Sequence, residues 1–222
     1  MGLFFDRFTR EPKKEIDKNA PPKKGIALFF TVLKREFWGI CVLNLLFILF
    51  SLPVVTIPAA ITAMSKVVSL MLMDKPVYIF SEFIGSLKAD WKRATAVGFV
   101  YFPLIAAALY GQFIYAYAME IYFMHIAALL LCALLVAAGF YVFPMIAILD
   151  ISIVELLRNS ILLTFLRFHY NLLVLFILAA LVYGVLMLFP TSVFIVLLIF
   201  FSLTNLITTF CAYTGIKKYV LK

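Results

Sequence analysis

A lysine stands inside an apolar run at Lys66, and its ammonium is the first group in this chain that could do chemistry. A charge at bilayer depth costs several kcal/mol, so it either faces a solute path or reaches back to the interface. Lys66 lies two turns before Asp74, so snorkelling to the interface is the preferred reading and an intramembrane cation on a substrate path the competing one. Asn44, Gln112 and Asn205 are further polar positions inside apolar segments. Each could line a solute path, but an interhelical hydrogen bond worth about 0.6–2 kcal/mol already explains such residues, and helix packing is expected. Glu120 and His125 are five residues apart, which does not put them on one helical face, and neither has a Ser or Cys partner in a catalytic pattern. Cys41, Cys132 and Cys211 show no CxxC spacing and read as small buried hydrophobes. No catalytic residue, metal site or cofactor is expected.

The polar segments carry more pattern. Asp74-Lys75-Pro76 reads as a helix start, with an acidic N-cap and an early proline. Beyond it Phe80, Phe83, Ile84, Leu87 and Trp91 form a stripe opposite Glu82, Lys88, Lys92 and Arg93, as in a helix lying on a membrane or against a partner. Ser152-Ile153-Val154-Glu155 has the form of a capping box, so the chain should break at Asp150 and restart as a helix through Arg158 into the next span. Such an elbow is a natural docking surface, with Trp91, Asp150, Glu155 and Arg158 as candidate contacts. It does not reproduce the E-A-A loop of ABC importer permeases.

The elements that must position these residues follow from composition. Of 222 residues, 66% are hydrophobic and 14% charged, 24 are Phe, and mean hydropathy is +1.12. A soluble globule of this size needs more polar surface, so the solvent is a lipid bilayer. The fold class expected is an all-α polytopic transmembrane bundle. Residues 1–24, with seven Lys or Arg and three Pro, form a basic tail, and 25–36 an interfacial helix. That tail lacks the apolar core of a secretory signal, so no cleaved leader is expected, and Asp6 argues against N-myristoylation. The bundle occupies 37–222, with spans near 37–52, 58–73, 95–118, 121–149, 170–189 and 191–211. Pro53, Pro58 and Pro190 mark tight turns.

The net charge of +8 raises the question of nucleic acid, but its distribution answers as topology. Nine Lys or Arg fall in residues 1–36, five in 63–95, two in 150–169 and three at the C-terminus. With six spans these basic groups lie on or near one face, the cytoplasmic one by the positive-inside rule, and both termini are inside. The turns near Pro53, Glu120 and Pro190 then face outward. Five spans, with 37–60 as one kinked helix, is the alternative. Attraction to anionic lipid accounts for the basic tail, and no nucleic-acid partner is expected.

Three stretches carry a family resemblance. Residues 16–24 with Lys34 to Trp38 and Asn44 to Ile57, then Ser86-Leu87-Lys88-Ala89-Asp90-Trp91-Lys92-Arg93-Ala94-Thr95, then Tyr141 to Asp150 with Glu155 to Ser160, resemble the YesL family of bacterial membrane proteins. One departure is Ile57-Pro58, where family members often carry Gly before the Pro. The resemblance implies a multi-pass protein of a Gram-positive cell membrane, encoded among carbohydrate ABC importers and sugar-responsive regulators, with no settled activity. The function expected from it is a non-catalytic accessory protein of carbohydrate uptake or sensing, docking to importer permease subunits or a sensor histidine kinase. The alternatives are a small transport core moving a sugar or related solute and, with least support, a membrane enzyme of cell-envelope glycans.

Overall fold

The computed structural model describes residues 25–118 and 122–220; the basic tail and Glu120 lie outside the described residues. Every regular element among them is helical. They are α1 (Ile26–Arg35), α2 (Phe37–Phe50), α3 (Ile57–Leu72), α4 (Ile79–Phe113), α5 (Tyr122–Ile148), α6 (Ile153–Leu166), α7 (Phe168–Met187) and α8 (Ser192–Tyr219). A π-helical turn, Ile114–Ala118, extends α4, and a second, Val196–Phe200, lies within α8.

Five helices are long and apolar enough to cross a membrane: α3 with its preceding turn, α4, α5, α7 and α8. The protein is thus a multi-pass helical membrane protein. At 14 residues α2 reaches about 21 Å, short of a hydrocarbon core of about 30 Å. The break expected at Pro53 and Pro58 is present: α2 stops at Phe50, Val54–Thr56 makes a 3-10 turn, and Pro58 sits in the first turn of α3. The turn joining α7 to α8 contains a cis Phe189–Pro190 peptide.

Three expectations are corrected. Asp74 does not start a helix. It has a φ of 57° and ends α3, with Lys75 N–H donating to Leu70 O (3.1 Å) and Asp74 N–H to Met71 O (3.2 Å), the Schellman pattern. The next helix begins only at Ile79. Second, the amphipathic stripe and the span from Thr95 are one continuous helix, because nothing at Ala94-Thr95 interrupts the backbone ladder. At about 52 Å this helix exceeds the hydrocarbon core, and its charged residues, Glu82 to Arg93, all lie in the N-terminal half. Third, the helix that starts at Ser152 does not run into the next span but ends at Leu166, and α7 starts afresh at Phe168.

The stripe on α4 is mostly covered by protein. Phe83 is fully buried, its ring 5.7 Å from that of Phe50, and Ile84 and Leu87 pack against the core between α2 and α3. Phe80 and Trp91 remain about half exposed. α3 approaches α4 so closely that a methyl at Gly98 would overlap the Pro58 ring. The turn before α3 therefore stands beside the middle of α4: Val55, Thr56 and Ala59 line one cleft with Leu87, Lys88, Trp91 and Thr95. Val55 and Trp91, expected on opposite membrane faces, border the same cleft.

Two cores result. One joins α1, α2, α3, Phe83 of α4 and Leu206 of α8; the other joins the middle of α4, the second half of α5, α6 and the end of α8. The first half of α5, the second half of α4 and nearly all of α7 leave large apolar side chains exposed, among them Phe99, Leu104, Phe123, Leu130, Phe176 and Leu186. These are the surfaces that lipid covers.

Candidate functional site

Asn44, Asn205 and Lys66, polar residues inside the apolar segments, are each engaged by another helix. Asn44 is fully buried on α2, and its Nδ2 donates to Val196 O (3.0 Å) and Leu197 O (2.7 Å). Its Oδ1 accepts from Ser202 N–H (3.0 Å) and Ser202 Oγ (3.3 Å). The amide thereby bridges carbonyl and amide groups of α8 at the π-helical turn, where the regular i→i−4 ladder is interrupted. Asn205 Nδ2 donates to Ser65 Oγ (3.0 Å) on α3, and its Oδ1 accepts from Thr209 Oγ1 (3.1 Å). Both amides thus form hydrogen bonds between helices.

Lys66 is engaged by a neighbouring helix. Its Nζ donates to Ala147 O (2.8 Å) in the last turn of α5, where free carbonyls and the negative end of the helix dipole favour a cation. Gln112 is half-buried on α4; its backbone carbonyl lies 3.4 Å from His125 Nδ1, and both residues border a cleft with Phe113, Tyr117 and Tyr122. Asn205 borders a separate cleft of about 200 Å³ with Ile61, Tyr101 and Phe140. The four residues Lys66, Asn44, Gln112 and Asn205 therefore do not converge on one cavity.

The elbow after α5 is built as its sequence indicates. Glu155 N–H donates to Ser152 Oγ (3.3 Å) and Ser152 N–H to Glu155 Oε2 (3.2 Å), a complete capping box. Arg93 of α4 pairs with Asp150 (3.1 Å) and donates a second bond to Ile151 O, tying the elbow to the charged half of α4. Trp91, Asp150, Glu155 and Arg158 are all exposed, so the docking candidates sit on a fixed backbone with accessible side chains. At the other end of this half, Arg35 pairs with Glu36 (2.8 Å) and with Asp74. Burial works to lower the Arg35 pKa, but these carboxylates outweigh it and hold the guanidinium above its ordinary value.

A further polar group joins α5, α6, α7 and α8 and was not singled out from the sequence. Tyr141 OH donates to Asn171 Oδ1 (2.6 Å), and Asn171 Nδ2 donates to Thr164 O (3.0 Å), capping the end of α6. Arg167, at the break between α6 and α7, donates to Cys211 O and to Thr214 Oγ1 (2.8 Å) on α8, and its guanidinium lies 4.7 Å from the Tyr170 ring centroid. The available signal was Asn171 just inside an apolar run with Arg167 one turn before it.

Among the described residues no group of three or more His, Cys, Asp or Glu is placed to hold a metal ion. The fold and its polar stitching define a multi-pass helical membrane protein. Residues 40–112, which run from α2 to the C-terminal end of α4, match the family described as "Protein of unknown function, DUF624". No curated protein and no solved structure matches the chain.

Proposed function

We propose that this protein is a non-catalytic accessory component of the cell membrane that docks to a partner through the elbow and the charged half of α4. The partner class follows from the resemblance to the YesL family: permease subunits of a carbohydrate ABC importer, or a sensor histidine kinase. The observation that carries the reading is the contrast within the polar residues. Asn44, Asn205 and Lys66 are engaged in bonds between helices, whereas Trp91, Glu155 and Arg158 project from a backbone fixed by the Arg93–Asp150 pair and the capping box. A photo-crosslinking residue at Arg158 tests it in the native membrane. A permease or kinase subunit should be captured there and not from Phe123; capture of lipid alone at Arg158 would overturn the reading.

The same reading puts the termini, residues 79–93 and the elbow on the cytoplasmic face, with the turn between α4 and α5 outside. Five charged side chains on α4 between Glu82 and Arg93 make that half a poor membrane span, and α3 lies alongside it. In this arrangement the α2–α3 hairpin enters from the cytoplasmic side and returns without crossing. Its turn suits that depth: Leu52, Val54 and Val55 are exposed and apolar, while Thr56 Oγ1 donates to Phe50 O and Pro53 O (2.6 Å) within the turn. Because a hairpin that returns leaves the parity of crossings unchanged, the basic termini stay on one side.

A small transport core is the second reading, favoured by the cleft of about 200 Å³ beside Asn205. Reconstituted liposomes separate the two. A transport core should show sugar flux that falls in Asn205→Ala; an accessory protein should show none.

A further inference from the structure

Where α3, α4 and the end of α5 meet, they enclose a crevice of about 610 Å³ lined by charged groups of both signs. Lys66 enters from α3, its ammonium fixed by Ala147 O at 2.8 Å, which uses one of its three donors. Glu82, Ser86, Asp90 and Arg93 enter from α4; their spacing of about four residues places them along one helical face. Asp90 accepts from Ser86 Oγ (3.1 Å), and Arg93 is paired with Asp150. Among the described residues the ion pairs are those of Arg35 with Glu36 and Asp74 and of Arg93 with Asp150, so Lys66, Glu82 and Asp90 face the crevice without one. All three are half-buried.

The height of the crevice is informative. On α4 it ends at Arg93, after which no charged residue occurs from Ala94 to Phe113; on α5 it begins in the final turn. That boundary between charged and charge-free helix is where phospholipid headgroups lie. A purely anionic headgroup would meet Glu82 and Asp90, and a purely cationic ligand would meet Lys66. A dipolar group carrying both a phosphate and a primary ammonium satisfies both sides.

We propose that this crevice binds an ammonium–phosphate zwitterion of the phosphoethanolamine type, its phosphate on Lys66 and its ammonium on Glu82 and Asp90. The two sources of that chemistry are a bilayer phospholipid and a soluble phosphoethanolamine. The ammonium donates hydrogen bonds to carboxylates, which a trimethylated choline headgroup cannot do. The volume accommodates the headgroup, and the binding depends on no particular protein partner.

Native mass spectrometry of the full-length protein, released from detergent and titrated with single phospholipids, tests this. Phosphatidylethanolamine should be retained about tenfold better than phosphatidylcholine or phosphatidylglycerol, the effect of one charge-assisted hydrogen bond. Lys66→Gln should lower that retention by about tenfold and Lys66→Arg restore most of it. Glu82→Gln with Asp90→Asn should remove the preference over phosphatidylcholine; these half-buried sites on α4 tolerate the amides, and an unchanged gel-filtration profile checks the fold. Competition by soluble O-phosphoethanolamine at equal concentration would assign the site to a soluble ligand, and lack of competition to the lipid. Equal retention of the three lipids by the wild-type protein, or a preference unchanged in the carboxamide variant, would overturn the proposal.

Discussion

α3 buries twelve of its sixteen residues, whereas α4 from Phe99 to Phe113 buries only Tyr101 and Ala108, and α5 buries none before Ala137. Both regions belong to helical hairpins of similarly apolar sequence. The α2–α3 hairpin is tied to α8 by the Asn44 bonds and the Asn205–Ser65 bond, and α3 meets α4 in close approach at Gly98. In the outer α4–α5 hairpin the linking bonds are those of Tyr101 to Leu135 O and of the His125 ring with Gln112 O. The difference reflects the solvent. Between apolar helices in lipid, burial alone gives no net gain, so association depends on close approach and hydrogen bonds. A hairpin with few of these is stable in a bilayer because its exposed side chains need nothing but lipid, while one rich in them is held by protein.

The largest expected effect comes from breaking the polar stitching. Asn44→Leu leaves the carbonyls of Val196 and Leu197 and the amide of Ser202 without their buried partner, and should destabilise the detergent-solubilised protein by about 2–4 kcal/mol. Thermal unfolding measures this; a loss below about 0.5 kcal/mol would mean that α8 closes its own ladder. Next, Gly98→Ala should cost about 1–3 kcal/mol, since its methyl overlaps Pro58. Gly111→Ala on the outer hairpin meets only Tyr115 at 3.8 Å and should be neutral or slightly stabilising. Equal losses at the two glycines would erase the contrast between the regions.

The smallest effect expected is that of pH on Arg35. A base whose pKa is raised on folding contributes below its unfolded pKa, and that contribution is lost only as pH rises through the folded value. Both values lie above the ordinary range of measurement, because an arginine's pKa is already high and that of Arg35 is raised further. The stability difference between wild type and Arg35→Gln should therefore be the same at about pH 7 and about pH 9. A difference that shrinks by pH 9 would show that another group carries the interaction.

Much of this contrast was legible in the sequence. Pro53, Pro58 and Pro190 locate turns because proline interrupts the helical ladder, and Ser152 with Glu155 announces a helix start that the structure reproduces. Single polar residues in apolar runs drew attention to Asn44 and Asn205, though not to Val196, Ser202 or Ser65 as their partners, which only the tertiary arrangement supplies. Asp74 misled because an acid before a proline suits a helix start, whereas α3 uses that residue in its left-handed C-terminal turn. The continuity of α4 was hidden by the change from amphipathic to uniformly apolar periodicity at Thr95, a change of surroundings rather than of backbone. The crevice around Lys66 could not be read at all, since it joins residues from three helices.

The most direct test of the central claim, that the α2–α3 hairpin and the charged half of α4 share one face, is cysteine accessibility in intact cells, with Cys41, Cys132 and Cys211 replaced by Ala. A membrane-impermeant maleimide added outside should modify Tyr122→Cys and leave both Val55→Cys and Trp91→Cys unreacted, all three reacting once the membrane is dissolved in detergent. Modification of Val55→Cys from outside, with Trp91→Cys still protected, would contradict the account.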